Sequence, residues 1–311
     1  MSTNHWLLLA VAALSWYNAG VFWLIQFSCY PLWPYVGRNE FLNYHDVWWQ
    51  STWGVVFVPG ALVAAGAILM LRFAPPEIPR WAVWTGLGLQ LIVEVVTAFW
   101  LSTLDRHMVA AAGGLNLPAY DGLVVANWLR IVLVSAYAVL TCWMLSQSLW
   151  QHTSITRGRL FLLGTSFLVL YAVGNVWLVQ VVCYRLWAHV GRSEAFGYHI
   201  AWWHSLWGVI FVPAGLVLLG ALALLWIRPA GVSRGLVWLG VGLQLVIYVS
   251  TAVWWAPLMA RLVTTDSGMS LHDYHLLMST HWIRLALITA YGITSFYMLI
   301  ESATASHWST S

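Results

Sequence analysis

The chain has 311 residues, of which 61% are hydrophobic and 7% charged, with a mean hydropathy of +0.76. A water-soluble domain carries about a quarter charged residues, so lipid must cover most of this surface. The net charge of +3 is spread over thirteen basic and ten acidic residues; no basic tract exists for nucleic acid, which is excluded as a partner.

Apolar runs predict helices at roughly 6–30, 47–72, 81–102, 122–149, 158–184, 201–227, 234–257 and 277–300, each near the ~20 residues that a bilayer requires. The first run is longer than a signal-peptide core and no Lys or Arg precedes it, so it reads as a retained membrane helix. Pro59 and Pro213 fall near the middles of the second and sixth helices. There a missing N–H predicts a kink, tolerated where a neighbour or water satisfies the freed carbonyl. The fold class is an all-α integral membrane protein with eight transmembrane helices.

Residues 26–59 return as 180–213 at a gapless offset of 154. Cys29, Tyr30, Arg38, Glu40, Tyr44, His45, Trp48, Trp49 and Pro59 match Cys183, Tyr184, Arg192, Glu194, Tyr198, His199, Trp202, Trp203 and Pro213. Downstream, Gln90, Thr97, Trp128, Arg130 and Tyr137 match Gln244, Thr251, Trp282, Arg284 and Tyr291. The chain therefore reads as a tandem duplication, 1–150 and 151–311, of a four-helix-bundle unit. An even number of spans per unit makes the repeats parallel, related by a pseudo-two-fold axis along the membrane normal rather than inverted.

Arg72, Arg80, Arg157, Arg159, Arg228 and Arg234 lie in connections on the side of the termini, which is the cytoplasmic candidate in a bacterial inner (plasma) membrane. The opposite connections, about 31–46, 103–121, 185–200 and 258–276, read as longer polar loops of the kind that carry function. They hold Asp105 and Asp266 among other acids, and this side has eight of the eleven histidines. An aromatic belt accounts for part of the 24 tryptophans.

Arg130 and Glu94 fall inside the fourth and third helices, roughly 12 Å from the outer end at 1.5 Å per residue. A charge at such depth pairs or faces a wet cavity, so Glu94–Arg130 is expected as a buried pair, either structural or part of a pocket. In repeat two Glu94 becomes Tyr248, Asn127 becomes His281 and Gln50 becomes His204, while Arg284 remains. His199, His204 and His281 then form a candidate cluster for proton transfer or metal ligation, although His199 and His204, five apart, do not share a helical face. Repeat two is accordingly the expected reactive or ligand-binding half. His45, with Trp48 and Trp49, and His199, with Trp202 and Trp203, supply imidazoles beside flat aromatic walls; Tyr248 and Gln244 complete the expected substrate surface. Neither CxxC nor clustered cysteine exists, and a Cys29–Cys183 disulfide requires both residues to reach the pseudo-two-fold axis.

The first unit runs from a Gly-containing helix into Tyr-Pro-Leu-Trp (30–33), and both units then carry Glu-x-x-x-Tyr-His and later Asn-Trp-Leu-Arg (127–130) or His-Trp-Ile-Arg (281–284). This resembles the anthrone-oxygenase-like family of small four-helix membrane proteins, present here twice. The resemblance implies a cofactor-independent oxygenase of polycyclic phenols with His45/His199 and Arg130/Arg284 at the site. Three functional readings stand: an oxidoreductase or oxygenase for a lipophilic aromatic or quinone-like substrate; a haem-, metal- or quinone-binding subunit of a larger membrane complex; and a structural membrane protein or transporter.

Overall fold

The computed structural model describes residues 2–109, 114–150, 155–264 and 268–304. Among these residues are eight helices long and apolar enough to cross a membrane: α1 Thr3–Tyr35, α2 Phe41–Phe73, α3 Arg80–Val109, α4 Leu117–Trp150, α5 Arg157–Trp187, α6 Ala195–Ile227, α7 Arg234–Leu262 and α8 Leu271–Thr304. A two-residue antiparallel ladder, β1 Val263–Thr264 with β2 Gly268–Met269, joins α7 to α8. The protein is an all-α polytopic membrane protein.

The helices outrun the spans that hydropathy marks. At 1.5 Å per residue, 33 residues rise about 50 Å against a hydrocarbon core of about 30 Å. The surplus lies mostly at the end away from the termini, here the distal end. Segments expected as long polar loops there are largely helical, so His45, Asp105, His199 and His275 ride on helices. Apolar content reports the depth of lipid, whereas the helix itself continues into polar surroundings. Asp266 lies outside the described residues.

Helices α1 and α5 form the centre: their apolar windows are 72% buried, against 28% for α3 and α7. Each packs on the other and on two helices of its own repeat, α1 on α2 and α4, α5 on α6 and α8; α3 and α7 close the rings. Small residues allow the central approach. A Cβ on Gly20 would strike the carbonyl of Tyr171, and one on Gly174 would strike that of Tyr17, the same contact at an offset of 154. Toward the distal end the equivalents meet each other: Cys29 and Cys183 Sγ lie 3.6 Å apart, and the hydroxyls of Tyr44 and Tyr198 lie 2.9 Å apart. Both cysteines are buried free thiols.

Each of α1, α2, α3, α5, α6 and α7 contains one π-helical stretch: Ile25–Cys29, Trp53–Phe57, Val96–Leu101, Val179–Cys183, Trp207–Phe211 and Thr251–Trp255. Pro59 and Pro213 sit just after two of them. The expected proline kink is thus preceded by a widened turn, in which Val58 N–H reaches the Trp53 carbonyl. The carbonyls four residues before the prolines are satisfied from the neighbouring helix. Tyr17 donates its hydroxyl to Val55 at 3.1 Å, and Asn175 donates its amide to Val209 at 2.8 Å.

Thiol chemistry tests this packing. In a Cys142→Ser chain with a protease site inserted between the repeats, copper–phenanthroline oxidation should join Cys29 to Cys183. The cleaved chain should then run as one band without reductant and as two with it. Two bands under both conditions would contradict the contact of α1 with α5.

Candidate functional site

Each repeat encloses a cavity between its helices where the π turns widen them. Cavity one, about 280 Å³, is lined by Asn18, Trp53, Gln90, Glu94, Thr97, Arg130 and Tyr137 among others. Cavity two, about 310 Å³, is lined by Asn175, Trp203, Trp207, Phe211, Gln244, Tyr248, Thr251 and Arg284. Most lining positions correspond at the offset of 154. At the rims, Trp53 and Trp207 are 59% and 58% exposed on the apolar outer face, so both cavities open toward lipid. A smaller chamber of about 50 Å³ continues each cavity toward the distal end. The chamber of repeat one reaches Tyr30, Trp48, Trp49 and Asp105; that of repeat two reaches Tyr184, Trp202, Trp203, Trp255 and His281.

The two arginines sit where chamber and cavity meet. Arg130 is buried, points an Nη2 at the Tyr30 hydroxyl 3.4 Å away and lies 4.4 Å from the centre of the Phe22 ring. Arg284 lies 5.9 Å from the centre of the Trp255 indole. The Nε of each is buried without a hydrogen-bond partner. Cavity two adds further unpartnered atoms: Gln244 Nε2, the Tyr248 hydroxyl and Asn175 Oδ1. Each such group forgoes about 1–3 kcal/mol unless something bonds to it.

The expected Glu94–Arg130 ion pair is not formed. Glu94 lines the same cavity, but its residue is exposed and no ion pair joins it to Arg130. Tyr30, delivered by the distal end of α1, takes the guanidinium instead.

The three imidazoles of repeat two are not brought together either. His204 is exposed; His199 is buried against Trp187, ring centres 5.4 Å apart, with Nδ1 unpartnered; His281 faces Gln180. Among the described residues no group of three or more His, Cys, Asp or Glu side chains is placed to hold a metal ion. The five-residue step between His199 and His204 on a continuous helix turns them to different faces, and no break at the start of α6 offsets it.

Repeat one holds a charged cluster that the sequence reading missed. His45 Nε2 lies 3.0 Å from Asp105 Oδ1, and Trp49 Nε1 donates to Asp105 Oδ2 at 2.8 Å. Asp105 is buried on α3, in a segment that hydropathy assigns to a loop. Its counterpart in repeat two is Met259, so His199 and Trp203 lack the same partner.

No protein-family model matches the chain, and no curated protein or solved structure matches it.

The geometry separates the two acids. Asp105→Ala leaves two donors unsatisfied, one on buried His45 and one on half-buried Trp49, and should cost roughly 2–6 kcal/mol, seen as a lower thermal midpoint in detergent. Glu94→Gln should stay within about 0.5 kcal/mol of the parent, as at an exposed site. Equal losses for both, or none for Asp105→Ala, would contradict this placement.

Proposed function

We propose that the chain is a membrane oxidoreductase or oxygenase whose two arginine-centred cavities admit lipophilic aromatic or quinone-like substrates from the bilayer. The repeats are parallel four-helix bundles, and both termini face the cytoplasm of a bacterial plasma membrane. One observation carries the reading: in each cavity an arginine whose buried Nε has no partner lines an otherwise largely apolar space that opens on lipid.

A water-filled channel would satisfy such donors along its length; here the surrounding walls are aromatic and aliphatic. Small-molecule pockets span about 300–1,000 Å³ and pair apolar walls with a few placed polar groups, and cavity two with its chamber fits that description. A flat ring packs against Trp203 and Phe211, whose ring centres are 5.5 Å apart along one wall. A carbonyl or phenolate oxygen on that ring accepts from Arg284 Nε, Gln244 Nε2 and the Tyr248 hydroxyl. Cavity one offers Arg130 beside Gln90 and the carboxylate of Glu94, a more polar version of the same plan. The resemblance to anthrone-oxygenase-like proteins, carried by Tyr-His at 44–45 and 198–199 and by Arg130 and Arg284, supports polycyclic phenols and quinones as the substrate class.

The redox-stable probe 2,3-dimethyl-1,4-naphthoquinone should quench tryptophan fluorescence saturably in the purified protein. Arg130→Gln and Arg284→Gln should each weaken one class of site about tenfold, the scale of one charge-assisted hydrogen bond, and the double variant should abolish saturation. Absent saturation in the parent, or quenching untouched in the double variant, would refute the reading. For topology, reporters fused at the N-terminus, at residue 155 and at the C-terminus should all be cytoplasmic; a single external reporter would overturn the parallel arrangement.

A further inference from the structure

We propose that repeat two ionises a bound phenol: His281 Nε2 takes the hydroxyl proton and Arg284 holds the resulting phenolate oxygen. This rests on the reading of cavity two as a site for aromatic ligands and assigns its substrate a hydroxyl group.

The starting point is the hydrogen-bond network that sets the histidine's tautomer. Gln180, on the π turn of α5, donates Nε2 to the Met278 carbonyl at 3.1 Å. That donation orients the amide so that its Oε1 faces His281 Nδ1 at 2.9 Å. An amide oxygen only accepts, so Nδ1 carries the hydrogen. In the neutral ring, Nε2 is then a bare lone pair. It is buried and has no partner, on a side chain that is 1% exposed and lines the distal chamber with Arg284.

An imidazole with a bare Nε2 lone pair and a guanidinium with an unpartnered N–H thus line one chamber, a combination suited to one oxygen that donates and accepts at once. A phenolic hydroxyl does both, whereas a quinone carbonyl only accepts. In the step proposed, the phenol O–H bond breaks, an Nε2–H bond forms and the electron pair stays on oxygen, where Arg284 stabilises it. No electron leaves the ligand. The other titratable groups lining the site are Tyr184 from α5 and Tyr248 from α7; α6 contributes the indoles of Trp202 and Trp203. The ring of Tyr184 stands edge-on to His281 at 4.9 Å, and Trp255 lies at 6.0 Å, which holds the imidazole plane.

Repeat one supplies the control. Its counterpart network is intact, with Gln26 donating to Val124 and accepting from Asn127 Nδ2 at 2.6 Å. Asn127 therefore fills the structural part of the role of His281 without a basic nitrogen. The packing tolerates either residue, and the exchange alters the chemistry.

His281→Asn tests the proposal with a side chain that the fold already uses at the matching position. The probe is 4-nitro-1-naphthol, whose phenolate absorbs in the visible, added to the full-length protein in lipid nanodiscs. The ionisation midpoint of the bound dye should lie at least about one pH unit lower in the parent than in His281→Asn. As a second measurement, ¹⁵N spectra of the parent should show a histidine, missing in His281→Asn, with Nδ1 protonated and Nε2 bare, and Nε2 should gain a proton when the dye binds in its neutral, hydroxyl-bearing form. Equal midpoints in the two proteins, or a His281 with hydrogen on Nε2 alone, would overturn the proposal. Naphthoquinone binding without naphthol binding would overturn it and leave the broader reading intact; binding of neither would remove both.

Discussion

In hydrocarbon a backbone carbonyl without a partner costs several kcal/mol, because no water is present to replace it. Pro59 and Pro213 each withhold the N–H that the carbonyl four residues earlier would receive, and much of the internal architecture answers that deficit. A π turn precedes each proline, and a side chain from the central helix crosses to the freed carbonyl. The crossing groups differ, a tyrosine hydroxyl in one repeat and an asparagine amide in the other, while the bond they make is the same. The lateral reach that this requires ties α1 to α2 and α5 to α6 beside the two cavities.

The cavities follow from those turns. A π turn carries one residue more than an α turn and spreads the helix where it occurs. Three such turns per repeat, at matching positions, surround Arg130 and Arg284 and leave room for a ring-shaped molecule. The repeats then diverge in what faces that room. Repeat one keeps acids, Glu94 at the cavity and Asp105 in the chamber, with His45 and Trp49 bound to the latter. Repeat two replaces the acids with Tyr248 and Met259 and gains the unpartnered nitrogen of His281. A duplicated frame with unequal chemistry suits two different ligands, or two states of one ligand, better than two identical sites.

Much of this was legible in the sequence. Composition and apolar run length indicate a polytopic α-helical membrane protein, and the offset of 154 points to the equivalences, including the two arginines that centre the cavities. Three features were not legible, each for a physical reason. The Glu94–Arg130 pair is expected from matching depth, but depth does not fix which side chain reaches the guanidinium, and Tyr30 takes that place while Glu94 stays on the cavity wall. The approach of Cys29 to Cys183 depends on which helix lies at the centre, and α1 and α5 are less apolar than α2 and α6 beside them; their depth of burial comes from tertiary packing. Asp105 escaped notice because hydropathy ends the third span before the helix does, which leaves the residue in a segment expected as a loop. The histidines of repeat two were singled out correctly as departures from repeat one, yet their separate roles depend on partners such as Gln180 and Trp187 that only the folded chain reveals.

The central claim is that the polar atoms left open around each arginine receive a flat lipophilic ligand. A high-resolution cryo-electron-microscopy map of the protein in native-lipid nanodiscs addresses it most directly. The account predicts planar density in cavity two, packed along Trp203 and Phe211, with an edge atom within hydrogen-bond distance of Arg284 Nε and Gln244 Nε2. A cavity closed by inward rotation of Trp207, or filled by lipid acyl chains with waters on Arg284, would contradict it.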